Sequence, residues 1–240
     1  MAVYVYSITA ATHPQRLEDL HGVGDPPAEL RTVDSGALSA VVSDAPGGLR
    51  PKRRDLGAHQ AVQERLMAHG SVLPLQFGLT APDDDAVRAV LEERAGEYTE
   101  RLEALEGCAE YNLKVSQDEE SLLRRILLES DEARGLNDEI RNGRGGPDLP
   151  LALGELVAGE VQARQEALAT GIIEELRPFA REERSSQPAG DDFLNVSFLV
   201  ERDGEGEFAT EVKGLAGEMG EEFGFRLNGP LPPYSFVQSV

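Results

Sequence analysis

The stretch VYVYSIT at residues 3–9 opens the chain with a two-residue alternation of side chains. Tyr4, Tyr6 and Ile8 fall on one face, and the residues between them fall on the other. This period is typical of a β-strand that is buried on at least one face. The chain therefore begins with a strand, and we expect its pairing partners farther along the sequence.

Further strands are predicted outward from this one. Residues 30–33 and 38–43 are apolar and are separated by Asp34-Ser35-Gly36, a combination that suits the turn of a hairpin. Residues 72–80 are again apolar and extended. Pro74 within them indicates a sheet edge or a bulge, because proline cannot donate to a central ladder.

Two helices are predicted between and after these strands, over residues 54–69 and 82–107. The first has residues at helical spacing on one face, namely Leu56, His59, Val62 and Leu66. The second opens with acids that favour the positive end of a helix dipole, namely Asp83, Asp84 and Asp85. This order of elements predicts an α+β domain over residues 1–107, with helices on one side of the sheet.

A second α+β domain is predicted over residues 108–228. It begins with a predicted strand at 108–115 and a long helix with a capping box at Ser116 and Glu119. A glycine-rich break at 142–147 separates this helix from a second one at 151–184, which Pro178 kinks or shortens. The remaining predicted elements are a strand at 194–200, a turn at 203–206, a short strand at 207–209, a helical face from Val212 to Phe223, and a strand at 225–227. This ordering predicts a ferredoxin-like unit.

Composition excludes several classes of protein. The chain has 240 residues, of which 23 are Lys or Arg and 44 are Asp or Glu, so its formal net charge is −21. Such an excess of acid opposes nucleic acids and anionic membranes. With one cysteine, no transmembrane stretch and no signal-peptide pattern, we expect a soluble cytoplasmic protein. The excess of acidic residues is typical either of a protein adapted to high salt or of a protein that keeps an apolar partner dispersed.

The sequence offers little that could be catalytic or bind a metal. His59 lies on the apolar stripe of its helix, and it is either a core imidazole or a ligand or acid–base group. Cys108 has no cysteine or histidine partner nearby in sequence. The glycines at 143–146 lack the Lys and Ser/Thr of a phosphate loop, so we interpret them as a linker. We therefore predict no catalytic residue, no cofactor and no metal, and a protein that is not an enzyme.

The last twelve residues, 229–240, form a proline-rich tail. Pro230, Pro232 and Pro233 hold the chain near polyproline geometry, which presents apolar side chains at low ordering cost. Leu231, Tyr234 and Phe236 could dock as a last strand in a groove of the first domain, or they could bind a partner. The sequence leaves both possibilities open.

The tail also carries a family resemblance. The run Gly229-Pro230-Leu231-Pro232-Pro233-Tyr234-Ser235-Phe236 resembles the terminal signature of the gas vesicle synthesis protein F/L family (GvpF/GvpL), which usually has Trp at the third position. Tyr4-Val5-Tyr6 resembles the first strand of that family. His59, followed by Leu73-Pro74-Leu75-Gln76-Phe77-Gly78, resembles its His and Leu-Pro-Leu-Arg-Phe-Gly element, with Gln76 in place of the usual Arg.

The resemblance implies an accessory, non-enzymatic protein that binds the hydrophobic major gas vesicle shell protein and is a minor vesicle component. It also implies two α/β domains, the second modified ferredoxin-like, and possible contacts with other accessory proteins. Partner-binding candidates are Leu231, Tyr234, Phe236 and Phe77. The residues expected to have structural roles in these motifs are His59, Pro74, Gly78, Gly229, Pro230, Pro232 and Pro233.

Two other function classes remain open at this point. Ferredoxin-like domains also serve as small-molecule regulatory modules, with a ligand bound at their junction. An enzyme that uses His59 is the third possibility, and a buried imidazole would argue against it.

Overall fold

The structure, a computed structural model, describes residues 1–143, 146 and 148–237. Part of the predicted linker (144, 145 and 147) and the last three residues of the tail lie outside the described residues. The chain divides into two compact units. The N-unit comprises Met1–Tyr111, Leu199–Arg202 and Gly229–Val240, and the C-unit comprises Asn112–Phe198 and Asp203–Asn228.

The N-unit contains an antiparallel sheet built around the first strand. Its strands are β1 (Val3–Ala10), β2 (Leu30–Ser35), β3 (Leu38–Asp44), β4 (Leu73–Pro74) and β5 (Thr80–Ala81). They lie in the order β2-β3-β1-β4, and β5 also pairs with β1. The predicted hairpin is confirmed as β2–β3. Of the predicted strand over residues 72–80, only the two ends are β-structure, and Pro74 lies on the edge strand β4.

Helices cover both faces of this sheet. They are α1 (Arg53–Met67), α2 (Asp84–Glu93) and α3 (Ala95–Ala104). Val62 and Leu66 of α1 pack with Tyr4 and Tyr6 of β1 in one apolar cluster. The other cluster contains Val3, Val5 and Ile8 together with apolar residues of α2 and α3, such as Leu91 and Leu102. The α+β class is confirmed, whereas the prediction of helices on one side of the first sheet is wrong, because both faces of β1 are apolar.

A β-bulge changes the predicted alternation of β1. The register against β3 shifts between Val5 and Ser7. An extra residue in one strand moves every later side chain to the other face. Ile8 therefore joins the cluster of Val3 and Val5, and the Ser7 hydroxyl donates to the Gln63 side chain of α1. The predicted faces of Ser7 and Ile8 are exchanged.

The N-unit helices differ from their predictions in detail. Leu56 is 42% exposed, and the buried stripe of α1 instead begins at Asp55 and continues through His59. The helix predicted over 82–107 is divided at Arg94, which has φ −109° and ψ 20°. Asp83 caps α2, since its carboxylate accepts from the backbone N–H of Ala86 at 2.9 Å.

The second sheet has the ferredoxin-like order β7-β8-β6-β9. Its strands are β6 (Cys108–Gln117), β7 (Glu182–Ser185), β8 (Asp192–Glu201) and β9 (Phe223–Leu231). The helices between them are α4 (Glu119–Glu129), α5 (Asp131–Arg141), α6 (Leu149–Leu176) and α7 (Glu205–Met219). The α4–α6 helices lead from β6 to β7, and α7 leads from β8 to β9, which is the βαββαβ order of elements.

Several predictions for residues 108–228 are corrected. Asp118 caps α4 in place of Ser116, accepting from the N–H of Ser121 at 2.8 Å. The helix predicted over 151–184 ends at Leu176, and a short 3-10 helix at Arg177–Phe179 contains Pro178. Residues 207–209 belong to α7, so the hairpin partner of β8 is the preceding strand β7. Phe223 begins β9 and is not helical.

Two adjacent residues of α2 test this packing. Leu91 is 1% exposed and Val90 is 41% exposed. We expect Leu91→Ala to lower the free energy of unfolding by about 2–5 kcal/mol, because it leaves a cavity, and Val90→Ala to change it by less than about 0.5 kcal/mol. Urea unfolding followed by circular dichroism measures both. Equal losses in the two variants would contradict the described orientation of α2.

Candidate functional site

The candidate site of the N-unit is centred on the imidazole of His59. Only 4% of this residue is exposed, and it lies on the buried face of α1. Its Nδ1 is 2.9 Å from the hydroxyl of Tyr4 on β1. Its Nε2 is 3.1 Å from the hydroxyl of Tyr234 in the tail. One ring thus connects the first strand, the first helix and the C-terminal segment.

The hydrogen bonds of Tyr4 favour one tautomer of His59. The Tyr4 hydroxyl already accepts from the backbone N–H of Gly78 at 3.1 Å, so its own proton is available for Nδ1. We therefore assign Nδ1 as the acceptor and Nε2 as the nitrogen that carries the hydrogen. The amide nitrogen of Gln63, 3.3 Å from Nε2, donates instead to the Tyr6 carbonyl. We assign this tautomer because it gives an acceptor to the Tyr4 hydroxyl hydrogen, to the Nε2 hydrogen and to the Gln63 amide hydrogen.

Gln63 satisfies the bulged backbone of β1. It is fully buried, and its amide nitrogen lies 2.7 Å from the Tyr6 carbonyl. The same carbonyl accepts from the backbone N–H of Leu75 at 2.9 Å. The Gln63 side-chain oxygen accepts from the hydroxyl of Ser7. Both lone pairs of the Tyr6 carbonyl are used, so the bulge does not leave that buried polar atom unpaired.

Aromatic rings enclose the imidazole. The Tyr6 ring stacks on His59 at 5.7 Å and 25°, and Tyr4 meets His59 edge-on at 5.8 Å. Phe77 meets the rings of both Tyr4 and His59 edge-on, at 5.9 and 5.8 Å. Phe77 and Tyr234 are both half-buried, so they form the partly exposed side of the cluster. We call these two residues the aromatic surface.

Burial keeps this cluster uncharged at neutral pH. It lowers the pKa of His59 to about 4 and raises the pKa of Tyr234 to about 12. Burial also raises the pKa of Tyr4 and of Tyr6. The burial of this imidazole, with both of its nitrogens within hydrogen-bond distance of a tyrosine hydroxyl, argues against the enzyme hypothesis based on His59. In the described residues, no group of three or more His, Cys, Asp or Glu side chains could hold a metal ion.

The tail packs against the N-unit through several contacts. Phe236 is 1% exposed and lies in the cluster with Val3 and Val5. The backbone N–H and the hydroxyl of Ser235 donate to the two carboxylate oxygens of buried Glu110, at 2.9 and 2.7 Å. Arg101 donates to the carbonyl of Phe236. The predicted partner contact Phe236 is thus unavailable to a partner in this structure, because its ring fills the core.

Other predicted motif residues have local reasons for their identity. A Cβ on Gly229 would lie 2.5 Å from a ring carbon of Tyr111, so only glycine fits there. Gly78 has φ +99°, which glycine adopts without strain. Pro232 and Pro233 are buried, Leu231 is half-buried, and the peptide bond before Pro230 is cis.

The structure brings together some of the predicted residues and adds others. His59, Phe77, Gly78 and Tyr234 meet in one cluster, whereas Phe236 lies in the other cluster of the N-unit. Sequence reasoning missed the cluster residues Tyr4, Tyr6, Ser7 and Gln63. The spacing of Gln63, four residues after His59, was the available signal, since such residues share a helix face.

A family model and several known proteins match this chain over nearly its full length. The model of the family described as "Gas vesicle synthesis protein GvpL/GvpF" matches residues 2–238. The gas vesicle protein F of Streptomyces sp. (strain CB03234) is 48% identical over 239 residues, covering 99% of this chain and 100% of that protein. The gas vesicle protein L of the same strain is 30% identical, covering 98% and 92%.

Two crystal structures share the fold. The gas vesicle protein GvpF from Anabaena sp. PCC7120 superposes with a TM-score of 0.86 at 23% identity, covering 100% of this chain and 99% of that chain. GvpF from Microcystis aeruginosa superposes with a TM-score of 0.79 at 23% identity, covering 99% of each. Among the described residues, no helix has the length and hydrophobicity needed to cross a membrane.

The lowered pKa of His59 predicts a pH-dependent stability. The folded chain holds His59 neutral down to about pH 4, whereas the unfolded chain takes up this proton near pH 6.5. Stability is therefore lost as the pH falls below about 6.5. We expect the loss in unfolding free energy from pH 7 to pH 5 to be about 2 kcal/mol smaller in His59→Gln than in the wild type. Urea titrations at both pH values measure this, and equal losses would contradict it.

Burial of Phe236 predicts that the tail stabilises the N-unit. We expect Phe236→Ala to lower the free energy of unfolding by about 3–5 kcal/mol, through lost burial and a cavity. Val237→Ala, a half-buried neighbour that packs on the same cluster, should cost only about 1 kcal/mol. Urea unfolding monitored by circular dichroism provides the comparison. A loss below 0.5 kcal/mol for Phe236→Ala, within the ordinary range of surface substitutions, would contradict a docked tail.

Proposed function

We propose that this chain, which belongs to the gas vesicle synthesis protein GvpL/GvpF family, is an accessory assembly protein that binds the hydrophobic major shell protein. Its gas vesicle-related role follows from the family. The match over residues 2–238 is the observation that carries the proposal. We further propose that the protein is cytoplasmic, associates with the vesicle as a minor component, and contacts other gas vesicle accessory proteins.

The aromatic surface is the contact that we propose in the N-unit. Phe77 and Tyr234 are half-buried, so each offers part of an apolar ring to a partner while the other part packs on His59. Rings held in this way lose little conformational entropy on binding, and aromatic residues are frequent energetic centres of interfaces. Leu231, also half-buried, remains a candidate for partner binding. Phe236 is no longer a candidate, because its ring is buried in the core.

The net charge supports the same proposal. A chain with a charge of −21 repels its own copies, which keeps the protein and an attached apolar partner dispersed. The alternative function, a small-molecule regulatory module, is supported only by the ferredoxin-like strand order, and a fold does not by itself define a ligand site. The family match therefore favours the binding of another polypeptide.

Co-purification with the shell protein tests the aromatic surface. We expect the double variant Phe77→Ala/Tyr234→Ala to capture about tenfold less shell protein, since central aromatic contacts commonly contribute more than 1 kcal/mol each. Val90→Ser, which changes an exposed apolar residue on α2, is the matched control and should capture as much as the wild type. Circular dichroism establishes that each variant is folded. Undiminished capture by the double variant would exclude this surface.

Gene deletion tests the role in assembly itself. Because an assembly protein acts before or during shell growth, we expect a strain without this gene to form fewer gas vesicles or none. Re-expression of the wild-type chain should restore them. Normal vesicle numbers in the deletion strain would contradict the proposed function.

A further inference from the structure

An apolar groove lies between α4 and α6 in the C-unit. It has a volume of about 460 Å³. Leu123 of α4, Val157 and Val161 of α6, and Phe193 of β8 supply the larger apolar side chains of its lining. Gly154, Ala158 and Ala169 add only small side chains, which leave room above the α6 backbone.

The surface of α6 continues this apolar lining toward its N-terminus. The 28-residue helix buries only Ile172 and Leu176, both near its C-terminal end. Leu151 precedes the groove residues Gly154 and Ala158 by three and seven residues, which places all three on one helix face. Leu151 is 65% exposed. The apolar face of α6 is therefore longer than its contact with the neighbouring helices.

Acidic and amide side chains border the groove. Glu119, at the start of α4, and Glu166, on α6, line it together with Gln162 and Gln165. Glu166 accepts a hydrogen bond from Gln162 at 2.8 Å. In the described part of the chain, Glu119 has no side-chain partner and no Lys or Arg lines the groove. The groove thus combines an apolar floor with an uncompensated negative border.

The geometry points to this groove as a docking site for an amphipathic helix of another polypeptide, one whose apolar face is flanked by Lys or Arg. Helices bind grooves of this kind through apolar residues spaced three and four apart. Cations beside the apolar face would meet Glu119 and Glu166, which favours the orientation and the rate of association. This inference goes beyond the proposed function, since it concerns the C-unit and a helix of defined charge.

A second copy of this chain fits the charges of the groove less well. It would bring a further acidic surface to an acidic border, and like charges at an interface oppose binding.

Three synthetic probes test the proposal. Each is an 18-residue fluorescent peptide: one with Leu at helical i, i+3, i+4 spacing and Lys elsewhere, one with Glu in place of Lys, and one with the Leu and Lys order scrambled. Fluorescence anisotropy at 150 mM salt reports binding to the full chain. We expect the Leu/Lys helix to bind at least about tenfold more tightly than the other two peptides. Only this peptide combines an apolar face for the groove floor with cations for the acidic border.

Groove variants separate docking from general attraction to an acidic protein. Ala158→Gln changes an exposed residue of the groove lining, and Leu151→Ser changes an exposed residue farther along the same face of α6. Each should weaken binding of the Leu/Lys probe by about tenfold. Val90→Gln on α2 is the control and should not weaken it. The double variant Glu119→Lys/Glu166→Lys should reverse the preference toward the Leu/Glu probe. Circular dichroism confirms folding in each case.

The outcomes distinguish this inference from the proposed function. Equal binding of the Leu/Lys probe by wild type and groove variants, or equal binding of the scrambled probe, would overturn the docking site. An unchanged preference in the double Lys variant would overturn it as well. Shell-protein capture by the groove variants measures the proposed function independently, so either idea can fail without the other.

Discussion

Burial of one imidazole is the constraint on which the N-unit depends. His59 is almost fully enclosed, so it must be neutral and both of its nitrogens must be paired. Tyr4 satisfies one nitrogen and Tyr234 faces the other, which fixes the distance between the first strand and the C-terminal segment. An unpaired buried group costs about 1–3 kcal/mol. The hydrogen bonds of His59 therefore connect the first strand to α1, and α1 to a C-terminal segment that lies 175 residues farther along the chain.

The bulge in β1 explains why the N-unit has two apolar clusters. Without it, Ile8 would face α1 and Ser7 would face the cluster of α2 and α3, where a hydroxyl would lack a partner. The shift sends Ile8 into the apolar cluster and brings Ser7 to Gln63. Gln63 in turn satisfies the Tyr6 carbonyl at the irregularity. One local departure from strand geometry is thus compensated by one side chain on α1.

Elements whose signals are local were predictable from the sequence, and elements set by tertiary contacts were not. The β2–β3 hairpin follows from Asp34-Ser35-Gly36, and the α1 helix follows from its periodicity. A bulge has no signature in a run such as VYVYSIT. Residues 207–209 follow a turn-like run at 203–206, which favoured a hairpin, but the acids of the first turn and the packing of Phe208 on Phe198 at 5.3 Å favour helix α7. The role of His59 was left open because burial is a property of the fold.

The two sheets share one strand order but complete their cores differently. In β2-β3-β1-β4 and in β7-β8-β6-β9, the first strand of the unit lies third in order. The N-unit joins its first two strands through residues 11–29, which contain no helix, whereas the C-unit uses α4, α5 and α6. In the N-unit, Phe236 of the tail fills one of the apolar clusters. The C-unit connection instead leaves part of the apolar face of α6 open, because its three helices cover one another incompletely. The same topology therefore produces a filled core in one unit and an accessible apolar groove in the other.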